Sequence, residues 1–254
     1  MEIGAQLYTV REFMQSPENI SLSLRKIADI GYRYVQLSGQ ASVDTEWMKS
    51  ELDKNGLRCV ITHTKPDRLQ NDPDGVAKEH SILGCDYVGL GSYPFHSPNH
   101  PDYSFDAYEA LYRPVARALR SRGKTLMHHN HAREFVREDG ELIFQKIAER
   151  FAPDELGFIL DTYWVQRGGC DPAEWIERLK GRVPCIHLKD YAYLPSNESA
   201  FAVIGEGNIN FLKVFSAAEN AGTKYMLVEQ DDCYGRDPFD CLRKSYEYLH
   251  SFGF

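Results

Sequence analysis

A (β/α)8 barrel is the fold this sequence predicts, on three observations. Eight short apolar, β-rich runs recur from end to end, longer amphipathic stretches separate them, and no glycine-rich phosphate loop follows the first run. The runs are IGAQLY from Ile3, YRYVQLS from Tyr32, LRCVITH from Leu57, DYVGLG from Asp86, KTLMHH from Lys124, LGFILD from Leu156, PCIHLKD from Pro184 and YMLVEQ from Tyr225. Their near-continuous apolar character is that of strands covered on both faces, hence of a parallel sheet wrapped in helices. An open, doubly wound sheet usually carries a glycine-rich fingerprint where this chain reads QLYTVREF.

The intervening stretches read as helices, and their punctuation agrees. A helix over 18–30 sets Ile20, Leu24, Ile27 and Ala28 on one face, and further helices are expected over 173–179, 211–221 and 239–249. Asp171 before Pro172 and Asp237 before Pro238 each pair an N-cap with a proline at the first helical position. Gly31, Gly56, Gly84, Gly123 and Gly222 each follow a helical stretch, where a left-handed residue ends the helix. No linker or low-complexity tract divides the chain, so one domain over 1–254 is expected.

Bulk composition narrows the function classes. A chain of 254 residues is long enough for a large core, and 43% hydrophobic with 26% charged residues is an ordinary globular balance. A formal net charge of -8 argues against a nucleic-acid groove, although it allows a local basic pocket. The opening MEIGAQLYTVREF lacks a basic segment followed by an apolar one, and no run approaches the length that spans a bilayer. The expectation is a cytoplasmic protein with no membrane or nucleic-acid partner; self-association into a homo-oligomer is left open. Six scattered cysteines without a CxxC pair read as buried thiols, which makes a cysteine–zinc site unexpected.

Barrel enzymes keep their chemistry where strands end and βα loops begin. In order, those positions hold Gln6 or Tyr8, Gln36, His63, Tyr93, His129, Asp161, His187 and Glu229. Five of the nine histidines (His63, His128, His129, His131 and His187) fall at or just past strand ends. Asp161, His187 and Glu229 lie on three successive strands and should converge on one side of the mouth. Two carboxylates and an imidazole suit Mn, Mg, Co or Zn, with positions left open for substrate oxygens. Taken singly, each of these residues reads equally well as a loop cap or a salt-bridge partner. Gly205, Glu206 and Gly207 are read as a turn rather than a substrate contact.

At these residues the chain resembles the xylose isomerase-like barrels known as sugar phosphate isomerases/epimerases, with tagatose epimerase and inosose dehydratase as relatives. The resemblance is strongest in LGFILDTYWVQRGGCDPAEWIERLKGRVPCIHLKDY, in FAVIGEGNINF and in YMLVEQDD. It implies metal ligands at Asp161, at His187 in the HLKD segment and at Glu229. Many members end the fifth strand in a glutamate, whereas this chain reads TLMHHNHAREF and places His129 there. A YHNHDFEF-like segment in related barrels has its glutamate a few residues later, which implies Glu134 as fourth ligand and second acid/base; His129 or His131 binding metal or substrate is the alternative. The expected substrate-binding set is His63, His129, His131, Trp164 and Lys189, with strand-end packing as the other reading of Lys189.

The resemblance implies a divalent-metal-dependent isomerase or epimerase acting through an enediolate on a ketose, sugar phosphate or cyclitol-like ketone, with Glu229 and Glu134 as acid/base groups. A lyase like inosose dehydratase would use the same metal and base, with His63 or His131 protonating the leaving hydroxyl. A sugar-binding barrel without catalysis, or an apurinic endonuclease, are the readings from other classes. No Arg/Lys cluster marks the last βα loops, which favours an unphosphorylated substrate.

Overall fold

Four to seven apolar residues between capped helices can pair only with parallel neighbours, because each connection must first return through a helix. In the computed structural model, which describes Met1–Phe254, eight parallel strands close into a barrel. They are β1 (Glu2–Gln6), β2 (Tyr34–Leu37), β3 (Arg58–Thr64), β4 (Tyr87–Leu90), β5 (Thr125–His129), β6 (Leu156–Asp161), β7 (Cys185–Leu188) and β8 (Tyr225–Val228). Closure is made by β1, which pairs with β2 through Gly4 and Tyr34 and with β8 through Glu2 and Tyr225.

The enclosing helices are α1 (Pro17–Ile30), α2 (Thr45–Lys54), α3 (Pro66–Asn71), α4 (Pro73–Leu83), α5 (Phe105–Ser121), α6 (Ile143–Arg150), α7 (Thr162–Arg167), α8 (Pro172–Arg178), α9 (Phe211–Ala221) and α10 (Pro238–His250). Their caps are those expected: Asp171 Oδ1 accepts from Ala173 N and Asp237 Oδ1 from Phe239 N, each at 2.8 Å. Gly84 and Gly222 end α4 and α9 in the left-handed region. No helix is long and apolar enough to cross a membrane.

Three strands stop two residues short of the sequence expectation, among them β8, which ends at Val228 rather than Gln230. The first strand stops at Gln6, whose side chain accepts from Tyr8 N at 2.8 Å and turns Leu7–Phe13 into a 3-10 helix. The seventh stops at Leu188, and Asp190–Tyr193 pairs instead with Ser199–Ala202 in a hairpin above the barrel. Asp190 anchors that hairpin and the GEGN loop by accepting from the backbone N–H groups of Tyr191, Gly205, Gly207 and Ile209. A Cβ at Gly207 would lie 2.5 Å from Asp190 Oδ1, so the glycine serves the turn, as read from sequence.

Period-2 alternation sorts every strand between two environments. Ile61, Met127, Ile159, Cys185 and Leu227 point into the barrel and form its inner cluster, with Tyr34, Tyr87 and Tyr225 packed against it. Phe158, Leu160, Ile186, Leu188, Met226 and Val228 belong to the larger cluster shared with the helices. Two residues above each inner side chain lies the next inward position: His63, His129, Asp161, His187 and Glu229. The polar mouth therefore rests on a dry floor.

On β4 and just past its end the same inward positions are Gly89 and Gly91, which leave space for the His63 ring. A Cβ at Gly89 would stand 2.3 Å from Thr62 O and 3.2 Å from His63 Cδ2, and the backbone oxygen cannot step aside. Gly89→Ala is expected to destabilise the barrel by about 1–3 kcal/mol through overpacking. Chemical denaturation checks this, and an unchanged midpoint would show that β3 and β4 have room to separate.

Candidate metal centre

Four side chains meet at the mouth, each with one atom tied down and one atom aimed at a common point. Their free donor atoms all lie within 4.8 Å of one another, on His129, Asp161, His187 and Glu229. Asp161 uses Oδ1 to cap α7 at Trp164 N (3.0 Å), while Asn130 Oδ1 accepts from its backbone N–H; Oδ2 is left for the centre. Glu229 accepts from Gln6 Nε2 through Oε1 at 2.9 Å, leaving Oε2. His129 Nδ1 donates to Gly91 O at 2.8 Å and His187 Nε2 donates to Gln36 Oε1 at 2.7 Å. Both acceptors fix the tautomer, so the lone pairs of His129 Nε2 and His187 Nδ1 face inward.

That geometry calls for a cation. His129 Nε2 lies 3.3 Å from Asp161 Oδ2, and His187 Nδ1 lies 3.0 Å from Glu229 Oε2. In the neutral tautomers these are lone pairs facing lone pairs. His187 Nδ1 is buried without a hydrogen-bond partner. Two imidazole nitrogens and two carboxylate oxygens with a fixed outer set of hydrogen bonds fit a divalent transition metal or Mg. A fifth group supplies positive charge beside them: Lys189 Nζ lies 3.0 Å from Asp161 Oδ2, 2.8 Å from Glu229 Oε2 and 3.0 Å from Asp231 Oδ1.

The electrostatics follow from these pairs. Burial pushes the Asp161 and Glu229 carboxyls up, but Lys189 and the imidazoles outweigh it and hold both well below the usual carboxylate range. For His187, burial acts downward and Glu229 and Asp161 prevail, so its value is raised. Asp231 is pushed up to about 6, by burial first and then by the Glu229 charge. His63 and His131 are held low, by burial and then by neighbouring histidines, His131 at about 4.

Through His129 and Glu229 the centre reaches the floor of a cavity of about 260 Å3. His63, His129, His131 and Lys189 line it, with Glu229 and Asp231. Ser38, His63, Gly91 and Ser92 also border an adjoining groove of about 820 Å3 over the β2–β4 loops. His63 Nδ1 meets Ser38 Oγ at 3.2 Å while its Nε2 has no partner. Trp164 stands behind this wall, its ring 5.1 Å from that of His131 and 5.7 Å from Lys189 Nζ.

Glu134, expected as the fourth carboxylate, lies outside the group. Leaving β5, the chain enters a 3-10 turn at Ala132–Phe135, and Glu134 folds back so that Oε2 accepts from His131 N at 2.9 Å. Its Oε1 faces His128 Nε2 at 3.4 Å, both side chains fully buried. His128 itself points away from the mouth, because it alternates with His129, and pairs with Tyr108 OH at 3.0 Å. Tyr93 also turns aside, into an aromatic cluster with Phe95, Tyr103 and Tyr108. Sequence reasoning passed over Asp231, although it stands two residues past Glu229 and so keeps the inward parity of β8.

Comparison with known proteins agrees with this architecture. Residues 24–251 match the family described as the xylose isomerase-like TIM barrel. The chain belongs to that family. It is 22% identical to an inosose dehydratase of Geobacillus kaustophilus, over 89% of this chain and 85% of that one. Among solved structures of the same fold, a sugar phosphate isomerase/epimerase from Parabacteroides distasonis superposes with a TM-score of 0.80 at 22% identity, covering 98% of this chain and 93% of that one. An L-ribulose 3-epimerase superposes with a TM-score of 0.74 at 16% identity, covering 99% and 94%. This xylose isomerase-like barrel thus has epimerases and dehydratases among the proteins it is similar to.

The buried neutral histidines give the stability a definite pH dependence. His131 titrates near 4 when folded and near 6.5 when unfolded, so in that window the unfolded chain binds the extra proton. Its stabilisation is complete above about 6.5 and is lost as pH falls towards 4. His131→Asn should remove about 2 kcal/mol of the loss seen between pH 7.5 and 5. Denaturation midpoints at the two pH values check this; equal pH slopes for the two proteins would place His131 in contact with solvent.

Proposed function

We propose that this chain is a divalent-metal-dependent isomerase or epimerase of a ketose, sugar phosphate or cyclitol-like ketone. The observation that carries the reading is the convergence of His129, Asp161, His187 and Glu229 at the barrel mouth, where His129 and Glu229 line a cavity. A divalent cation held there would supply Lewis acidity to a carbonyl and its neighbouring hydroxyl, acidifying the shared C–H. His129 and His187 would hold it through lone pairs that Gly91 O and Gln36 orient, and Asp161 and Glu229 would balance its charge.

Glu229 receives the proton at the floor, steadied by Gln6. Asp231 and His63, on the cavity wall, are the groups that return a proton to the substrate, a role first expected of Glu134. Asp231 has its titration near 6, close to the value that serves both directions of transfer. His131, Lys189 and Tyr8 offer further polar contacts to substrate hydroxyls, with Trp164 stiffening the wall.

A second reading shares the first step. If the intermediate expels a β-hydroxyl instead of regaining its proton, the enzyme is a lyase. Similarity to inosose dehydratases along most of the chain favours it, and the unpartnered Nε2 of His63 is placed to meet a leaving hydroxyl.

Three variants test the reading. Asp161→Ala is expected to lose at least tenfold in Mn2+ affinity with the fold intact; full metal occupancy in the purified variant would sink the site as drawn. Glu229→Gln should abolish exchange of deuterium from D2O into the carbon beside the carbonyl, together with turnover. Normal turnover would refute C–H abstraction at this position. His129→Gln should weaken metal binding, whereas Glu134→Gln should leave metal affinity within about threefold and lower the unfolding midpoint, since it breaks the buried pair with His128. The reverse pattern would restore Glu134 as the ligand.

A further inference from the structure

Lys189 stands where a metal ligand set ought not to hold a lysine. Its ammonium is almost fully buried, 1% exposed, and its partners include Asp161 Oδ2 and Glu229 Oε2. These are the two oxygens that also face His129 Nε2 and His187 Nδ1, at 3.3 Å and 3.0 Å. A divalent cation bound by both oxygens sits about 2.0–2.2 Å from each. An ammonium 2.8 Å and 3.0 Å from the same atoms would then lie against the metal with no screening water between them. Two positive charges cannot share that seat at low dielectric.

The surroundings provide a place to retreat. Asp231 Oδ1 is the third partner of Nζ, at 3.0 Å, and it lies at the cavity wall rather than among the inward donors. The rings of Trp164 and Phe201 each stand 5.7 Å from Nζ and favour a cation on that side. The Lys189 backbone is pinned by Thr162, whose Oγ1 accepts from Lys189 N and donates to Lys189 O. Any movement is therefore confined to side-chain torsions.

Building on the metal reading above, we propose that Lys189 is an exchangeable counterion. Its ammonium neutralises Asp161 and Glu229 while the metal is absent, and yields both oxygens when the cation enters, keeping Asp231. The ammonium is then a positioning group that sets the metal affinity and, once displaced, turns towards the cavity.

Calorimetric titration of the metal-stripped, full-length protein with Mn2+ at pH 7.5 tests this, alongside the Lys189→Met and Lys189→Arg variants. Lys189→Met is expected to bind Mn2+ at least tenfold more tightly than the unaltered chain, and Mn2+ should raise its thermal midpoint by more. Lys189→Arg keeps the competing charge and should bind no more tightly than the unaltered chain. Should Lys189→Met fail to fold without metal, Lys189→Gln, which keeps a donor but no charge, carries the same expectation. Equal or weaker binding by the folded neutral variant would overturn the proposal and show that Lys189 only scaffolds the ligands, with the metal reading intact. Absence of Mn2+ binding in every protein would overturn both, leaving Lys189 as the permanent cation of a metal-free site.

Discussion

Two carboxylates are buried at the mouth of this barrel, and the arrangement around them is a response to their charge. Asp161 is fully buried and Glu229 is 3% exposed, both held ionised in a place where an unpaired charge costs several kcal/mol. Cationic charge must therefore be present at the centre, from Lys189, from imidazolium or from a metal. The outer atoms of the four donor side chains are each tied by a neighbour, through Gln6, Gln36, Gly91 O or the backbone N–H of Trp164. With those bonds made, the inner atoms have little freedom and their electrostatic demand is not relieved by turning away.

The barrel makes this possible by layering. Ile61, Met127, Ile159, Cys185 and Leu227 exclude water beneath the donors, which lowers the local dielectric and strengthens each charge interaction above. Glycines on β4 and just past its end contribute by absence: without side chains at Gly89 and Gly91, the His63 ring occupies the space and the Gly91 carbonyl reaches His129. The rings of His63, His129 and His187 stand 4.6–5.5 Å apart as a result. Burial, and then this crowding of imidazoles, holds His63 and His129 low, and leaves His187, which faces both carboxylates, as the one whose value is raised.

In the proposed reaction the four-donor floor and the wall above it would carry separate parts of the chemistry. Proton abstraction beside a carbonyl needs only the floor, and this is common to isomerisation, epimerisation and β-elimination. On that proposal the product would depend on the wall, where His63, His131, Asp231 and Lys189 line the cavity. The adjoining groove of about 820 Å3 over the β2–β4 loops shares Ser38, His63, Gly91 and Ser92 with this cavity.

Sequence alone carried the barrel and most of its mouth. Eight apolar runs, their helix caps and the parity of the strands are local properties, so LGFILD and YMLVEQ identify Asp161 and Glu229 as strand-tip residues without any knowledge of their neighbours. The same parity distinguishes His129 from His128, and would have marked Asp231 had it been followed one step beyond Glu229. Tertiary structure decided the fourth donor. Glu134 is separated from the strand tip by a 3-10 turn, and nothing in AREF reveals that this turn points its carboxylate back at His128. It also decided the position of the Lys189 ammonium, because residues 161, 189, 229 and 231 belong to three strands and their following loops, whose side chains meet only when the barrel closes. Period and capping are written in neighbouring residues, whereas the convergence of charges is set by long-range strand pairing, and a linear sequence does not display that distance.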